Sequence, residues 1–223
     1  MTVILESVVG STAYGLNTAN SDIDRLGIYI EPTINFSGLD LKTEKDFSRV
    51  QTQPDRTLHE LGKFCRLALQ CNPTILELLW VPQDLLVTLT EDGRQLRDRR
   101  FMFISAKQVH SSFMGYATSQ FKRLTERGDF GSDTRNRREK HARHLLRLMH
   151  QGYTLYSTGN LPIRLEDPEK YHEFGRAAVE DPSIADKAVR DYASLFEHSK
   201  SKLPEEPARG AVDIWLKSIR KKY

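Results

Sequence analysis

The residues with the most evident chemistry lie near the start of the chain: Gly10-Ser11, a polar spacer, then Ser21-Asp22-Ile23-Asp24. On a β-strand, side chains two positions apart share a face. Asp22 and Asp24 on one strand would therefore point the same way, with Cα atoms about 6.6–6.8 Å apart. Carboxylates at that separation can reach two divalent ions lying about 3.5–4 Å from each other. Their mutual repulsion disfavours double ionisation unless cations offset it. Gly10-Ser11 is complementary. Glycine lets the backbone approach a phosphate closely, and a Gly-Ser turn that opens a short helix presents amide N–H groups and a hydroxyl to an anion. Mg²⁺ is commonly held by one or two carboxylates together with substrate phosphate oxygens. A phosphate cradle one element before an acidic strand is thus what phosphoryl transfer needs. Singly, Gly-Ser is a plain turn and Asp-x-Asp a polar strand end. It is their order and spacing that point to a site.

The elements that must position these groups are legible from periodicity. Val3 to Val9, β-branched and aliphatic, reads as a strand ending at Gly10. A second strand is expected from Asp22 to Ile30, stopped by Pro32, with Leu26, Ile28 and Ile30 sharing the parity of the two aspartates. Residues 33–54 are mixed and polar and read as short strands and loops without defined bounds. Leu58, Leu61, Phe64, Cys65, Ala68 and Leu69 recur at helical spacing and predict a helix over Thr57–Gln70. Asn72-Pro73 caps a second short helix carrying Ile75, Leu78 and Leu79. Residues 85–88 suggest one more strand. From there the pattern is helical, over roughly 106–124, 135–156, 169–179, 184–198 and 208–221. The glycine-containing loop Arg127 to Asp133 is expected to be mobile. Strands first and helices after predict an α+β protein: a small mixed β-sheet core over residues 1–100, and a mostly helical C-terminal half over 101–223.

Composition narrows the classes. Of 223 residues, 39% are hydrophobic and 28% charged, which excludes a disordered or fibrous chain. The sequence has no apolar run of membrane-spanning length and no basic, apolar leader at its start. Two cysteines, Cys65 and Cys71, exclude a disulfide scaffold and a four-cysteine zinc site. The expected setting is a soluble protein of a reducing compartment, most simply the cytosol. The net charge of +3 is unevenly spread. Residues 1–90 hold seven Lys/Arg and eleven Asp/Glu, whereas residues 91–150 hold fourteen and seven. An acidic first part beside a basic middle suits a site that holds metal ions and attracts a polyanion; a solvated basic helix face is the plainer reading.

Gly-Ser, a spacer and Asp-x-Asp on a strand resemble the DNA polymerase β-like nucleotidyltransferase superfamily. The string GSTAYGLNTANSDIDRLGIY is more specifically similar to the RNA-ligase-associated branch found in bacteria and their phages. So is Asp55 eight residues before Lys63, followed by Asn72-Pro73 and Glu77-Leu78-Leu79. The resemblance is clear over residues 3–80 and looser beyond. It implies a small mixed sheet flanked by helices, with three acidic residues holding two Mg²⁺ (or Mn²⁺) ions. Asp22 and Asp24 match the first two. The third falls on Asp55, with Glu60 and Asp46 as competitors. A helix N-cap role for Asp55, ahead of the 57–70 helix, is the alternative.

The implied activity is transfer of a nucleoside monophosphate from a nucleoside triphosphate to a hydroxyl, an RNA end being favoured, with release of pyrophosphate; a tRNA, a protein hydroxyl and a small molecule also present a suitable nucleophile. Gly10, Ser11 and Tyr14 would contact the nucleotide, although Tyr14 would equally close the turn. Lys63 follows the family pattern as a phosphate contact, and an exposed lysine explains it as well. Lys140, His144 and Arg147, at i, i+4 and i+7, share a helix face that could hold triphosphate or acceptor; a buried, hydrogen-bonded His144 and a solvated amphipathic helix are the alternatives. Nearby Arg135, Arg137, Arg138 and Arg143 would add a sequence-independent phosphate face. Two other functions compete: a non-catalytic RNA-binding module on the same fold, and a helical ribonuclease using Arg135, Asn136 and His141.

Overall fold

The structure is a computed structural model and describes residues 1–19, 21–37, 39, 47–53, 55–125 and 134–223. The expected loop 127–133 and Asp46 lie outside these residues. The described residues form an α+β protein with two compact units, Met1–Ser105 together with Glu206–Tyr223, and Ala106–Glu205. The last helix therefore belongs to the sheet-containing unit, a placement that a linear division at residue 100 does not anticipate. No helix of the described residues is long and apolar enough to cross a membrane.

In the first unit, β1 (Thr2–Val9), β2 (Asp24–Ile30), β3 (Ser48–Thr52), β4 (Asp55–Glu60) and β5 (Leu86–Leu89) form one mixed sheet in the order β3-β4-β2-β1-β5. The central strands β1 and β2 pair antiparallel, with Val9 opposite Asp24 and Glu6 opposite Gly27. β4 runs parallel to β2, with Arg25 opposite Arg56. Central position explains composition: Leu26 to Ile30 are all buried, and Ile4, Leu5, Ile28, Tyr29 and Ile30 are completely so.

The predicted helix over 57–70 is corrected at its start. Residues 55–60 are strand β4, and α2 runs Leu61–Leu69. Thr57 and Leu58 fit either period, and parallel pairing with the buried β2 decides for strand. Glu60 then caps α2, accepting from the Gly62 N–H at 2.6 Å. Asp55 is therefore the first residue of a strand and not a helix cap. β2 also starts later than expected, at Asp24, leaving Asp22 in the segment before it.

α1 (Gly10–Tyr14) and α3 (Pro73–Trp80) follow the expectations. Asn72 caps α3, and Pro73 occupies its first turn. The periodicity marks no element over α4 (Glu91–Asp98), and β3 is a short strand within the polar stretch 33–54, where short strands and loops are expected. Gly93 of α4 sits on the β1 backbone, where a Cβ would overlap the Ile4 carbonyl. α9 (Arg209–Arg220) is tied to this unit by Arg220, which reaches buried Glu60 at 2.6 Å.

The second unit holds α5 (Ala106–Thr125), α6 (Thr134–Thr158), α7 (Pro168–Glu180) and α8 (Pro182–His198), close to the predicted helices. Asp167-Pro168 and Asp181-Pro182 start the last two by capping their first turns. Small residues let the helices approach. Ala142, Ala178 and Ala185 form a core cluster with Leu124, and Gly152 lies against Phe113.

Candidate active site

The site is assembled at one end of the sheet, where β1 stops and β2 and β4 start. Val9 is paired with Asp24, so the chain leaving β1 enters Gly10-Ser11 directly beside the Asp24 carboxylate. Gly10 has φ of 69°, and a Cβ on it would overlap Asp24 Oδ2. Only glycine allows both that backbone conformation and that approach. α1 is closed at its other end by Gly15, at φ 78°, and by the Leu16 N–H donating to the Ser11 carbonyl at 2.9 Å. Ser11 is therefore held on a short, doubly glycine-bounded helix whose first residue touches the acidic strand.

The β2–β4 register fixes where Asp55 stands relative to Asp24. Arg25 is level with Arg56, so one step back Asp24 is level with Asp55, each the first residue of its strand. Adjacent strands lie about 4.8 Å apart, and level residues on parallel neighbours share a face. Asp22 is two residues upstream and exposed. Glu60, the competitor, is 1% exposed, paired with Arg220, and about 16 Å along β4 from Asp55. Asp55 and not Glu60 thus stands beside Asp24.

On the opposite face a buried ion pair braces these strands. Arg56 donates from Nε to Glu6 Oε1 at 2.8 Å and from Nη2 to Glu6 Oε2 at 2.6 Å. Glu6 is 3% exposed. The pair reaches across the central strand at Gly27, where a Cβ would lie 2.7 Å from Leu58 Cδ2 and 2.8 Å from the Leu5 carbonyl oxygen. Sequence reading did not find this pair, because Glu6 sits in an apolar strand fifty residues from its partner. A charged residue inside a buried run was the available signal.

Tyr14 is 3% exposed, and its hydroxyl donates to Glu77, 2.8 and 2.7 Å from the two carboxylate oxygens. This bond joins α1 to α3, sixty-three residues on, and keeps the ring in the interior. Glu77, 1% exposed on α3, is its buried partner. The Lys63 ammonium donates to Ser48 Oγ at 2.9 Å, and Ser48 is hydrogen-bonded to His59 at 3.0 Å. That places Lys63 beside the far end of β4, about 13 Å along the strand from Asp55, and not with the acids. Cys65 and Cys71 are buried, and burial pushes their thiols up to about 12 and about 11. Both are inert at neutral pH.

Lys140, His144 and Arg147 lie on α6 in the second unit. Lys140 is exposed, but Arg147 is 5% exposed and donates to Gln151 Oε1 at 2.6 Å, while Gln151 donates to the Pro162 carbonyl. Arg147 also lies 3.4 Å from His144 Nδ1. A guanidinium only donates, so this ring nitrogen accepts and the imidazole is neutral. Burial, followed by the charge of Arg147, pushes the imidazole down to about 3. The shared helix face is correct, yet at Arg147 it is packed interior and not an open basic surface. Arg135 pairs with Glu139 and Glu180, and Arg138 donates to the Leu124 and Val179 carbonyls. His141 is hydrogen-bonded to Gln120 at 2.8 Å.

Among the described residues, no group of three or more His, Cys, Asp or Glu is gathered as a metal site by itself. The donors at the strand ends are carboxylates, which suit a hard divalent ion that completes its shell with water and substrate phosphate. The absence of a Cβ on Gly10 is what lets the backbone of the turn lie against Asp24 Oδ2.

A mixed sheet whose first strand runs through Gly-Ser into a central acidic strand is consistent with the DNA polymerase β-like class of nucleotidyltransferases, which the family match shows. The chain is a member of the RlaP family, the RNA repair pathway DNA polymerase beta family, whose model matches residues 1–179. It is also similar to an uncharacterized 38.9 kDa protein of Enterobacteria phage T4, encoded in the nrdC-mobD intergenic region, at 26% identity over 137 residues. That match covers 57% of this chain and 40% of the phage protein, so the relative is considerably longer than the part it shares.

Proposed function

We propose that the protein transfers a nucleoside monophosphate from a nucleoside triphosphate to a hydroxyl acceptor, an RNA end being favoured, with release of pyrophosphate. The observation that carries this reading is the level placement of Asp24 and Asp55 on adjacent parallel strands, with Gly10, the residue before Ser11, against Asp24. Family membership supports the class of reaction. Asp22, Asp24 and Asp55 would hold Mg²⁺ or Mn²⁺, with two ions as the expected number. Bound there, the ions would neutralise phosphate charge and lower the pKa of the attacking hydroxyl.

The chain's own contribution is positioning. Ser11 and the amides of its turn bind the leaving phosphates. Asp55, at the start of its strand, orients the acceptor hydroxyl and takes its proton. The Glu6–Arg56 pair keeps β4 in register, so that Asp55 stays level with Asp24. Most of the acceleration in such a site comes from alignment and charge neutralisation, without a covalent protein intermediate.

The test is incubation of the full chain with each α-labelled triphosphate, Mg²⁺ or Mn²⁺, and RNA. Label should pass to the acceptor in wild type. It should fall by at least about 100-fold in Asp22→Ala and Asp24→Asn, the scale of losing electrostatic stabilisation at a transferring group, with melting temperature unchanged or raised. Full transfer by a folded Asp24→Asn variant overturns the reading.

A further inference from the structure

The first unit carries a second charged surface, at the end of α4, which the proposed reaction does not use. Its sequence, Arg97-Asp98-Arg99-Arg100-Phe101, is strongly cationic. Among the described residues Arg94 pairs with Glu91, while Arg97, Arg99 and Arg100 have no carboxylate within ion-pair distance. Arg97 and Arg100 are half-buried, and Arg99 is exposed. Arg97 donates to the Val81 carbonyl, and Arg100 donates to the Arg97 carbonyl at 3.3 Å. These bonds fix the heads of two like charges near each other. Burial and then the Arg100 charge lower the basicity of Arg97, and the Asp98 carboxylate opposes them only in part. A cluster of this kind is relieved by an anion.

Aromatic rings complete the surface. The Arg100 guanidinium lies 5.5 Å from the Trp80 ring centroid and 5.3 Å from that of Phe101. Trp80 and Phe101 meet edge to face at 6.1 Å and 84°. Phe101 is 50% exposed, which is unusual for a ring locked into such a cluster. Its carrier is rigid. Just beyond a short 3₁₀ turn over Arg100–Met102, Phe103 and Ile104 are completely buried, and Phe103 packs edge-on against Phe64 at 6.2 Å. The turn thus presents a fixed ring against the Arg100 guanidinium, with Arg97 held on the Val81 carbonyl and Arg99 on the Gln95 carbonyl at 3.1 Å.

We infer that Arg97, Arg99, Arg100, Trp80 and Phe101 form a binding surface for a single-stranded polynucleotide. The guanidiniums take backbone phosphates, and a base stacks on Phe101. Guanidinium forks match phosphate oxygens, and an exposed ring next to cations is the platform that single strands use. An acidic peptide satisfies the charges but has no regularly placed planar group for the ring. The inference deepens the proposed function, on which it rests only in making the bound strand the acceptor; binding itself needs no catalytic acid.

The test is fluorescence anisotropy of the full chain with labelled single-stranded RNA and with DNA of the same sequence, in EDTA. Comparing the two strands identifies the sugar preferred. Phe101→Ala should weaken binding by about 5- to 160-fold, the loss of one stacked base. Arg99→Glu with Arg100→Glu should weaken it further and reduce the slope of log K against log salt by about 1.4, the loss of two phosphate contacts. Asp24→Asn should bind as wild type, which separates failure of this surface from failure of the catalytic reading. Circular dichroism checks folding. If the double variant does not fold, Arg99→Gln, at an exposed position, stands in with a slope change of about 0.7. Unchanged binding by folded Phe101→Ala and Arg99→Gln, or equal displacement of the strand by polyglutamate, overturns the inference.

Discussion

Gly10 and Asp24 are in direct apposition: the α-carbon of the glycine faces Asp24 Oδ2 so closely that a Cβ would overlap the carboxylate. Fourteen residues separate the two in sequence, and the Val9–Asp24 pairing of β1 with β2 brings them together. Gly10→Ala meets two penalties, a positive φ and a steric overlap. It should cost about 1–3 kcal/mol of stability and push the carboxylate away from the Gly-Ser turn. Thermal melting and the transfer assay on one preparation check this. Wild-type transfer by Gly10→Ala would show that the close approach serves folding alone.

Arg56→Met strands the Glu6 carboxylate in the sheet. Breaking a buried pair from one side costs about 3–5 kcal/mol. Arg56 keeps partial exposure, its side chain being 31% accessible, so the lower end is expected. Glu6→Gln combined with Arg56→Met should recover part of the loss, because no unpaired charge then remains. Urea denaturation of the two singles and the double gives the coupling. Additive losses would mean that the pair does not act as a unit.

Tyr14→Phe removes a hydrogen bond to a buried carboxylate, worth about 1.5–3 kcal/mol. Since the ring is interior in this structure, KM for the triphosphate should stay near wild type in the folded fraction. A large rise in KM with unchanged melting temperature would instead indicate stacking on the nucleotide.

His144 predicts an acid-sensitive helical unit. Its folded value is pushed down to about 3, against an ordinary value of about 6.5. Between these values the unfolded chain binds a proton that the folded chain does not. Stability therefore rises with pH across the window and is lost on acidification from about 6.5 toward 3, by up to about 1.4 kcal/mol per pH unit. His59, His141, His150 and His172 shift in the same direction, so the test is a difference. Melting curves of wild type and His144→Gln should diverge with pH below about 6.5 and run parallel above it. Parallel curves throughout would rule out a neutral His144 as the acid-sensitive group.

Local signals were sufficient for β1, α1, α3 and the long helices, because each carries its own punctuation: Gly10 and Gly15 around α1, Asn72-Pro73 before α3, Asp-Pro before α7 and α8. They were insufficient at residues 55–60, where Thr57 and Leu58 fit both periods and hydrogen bonds to a strand thirty residues earlier decided. Arg147 failed differently. Spacing places it on a face with Lys140 and His144, but whether that face meets water or Gln151 depends on what packs against α6.

The amino-acid order alone therefore determined the chemistry on offer: a Gly-Ser turn, an Asp-x-Asp, a distant Asp55, and the reaction class that they imply. Tertiary structure decided which acids stand together. It chose Asp55 over Glu60 through the parallel β2–β4 register, buried Tyr14 on Glu77, and drew α9 back to the sheet through Arg220. The physical reason is one of range. Turn, cap and periodicity preferences act over a few residues and can be read in order, whereas strand register and charge pairing join positions tens of residues apart and exist only once the chain has closed on itself.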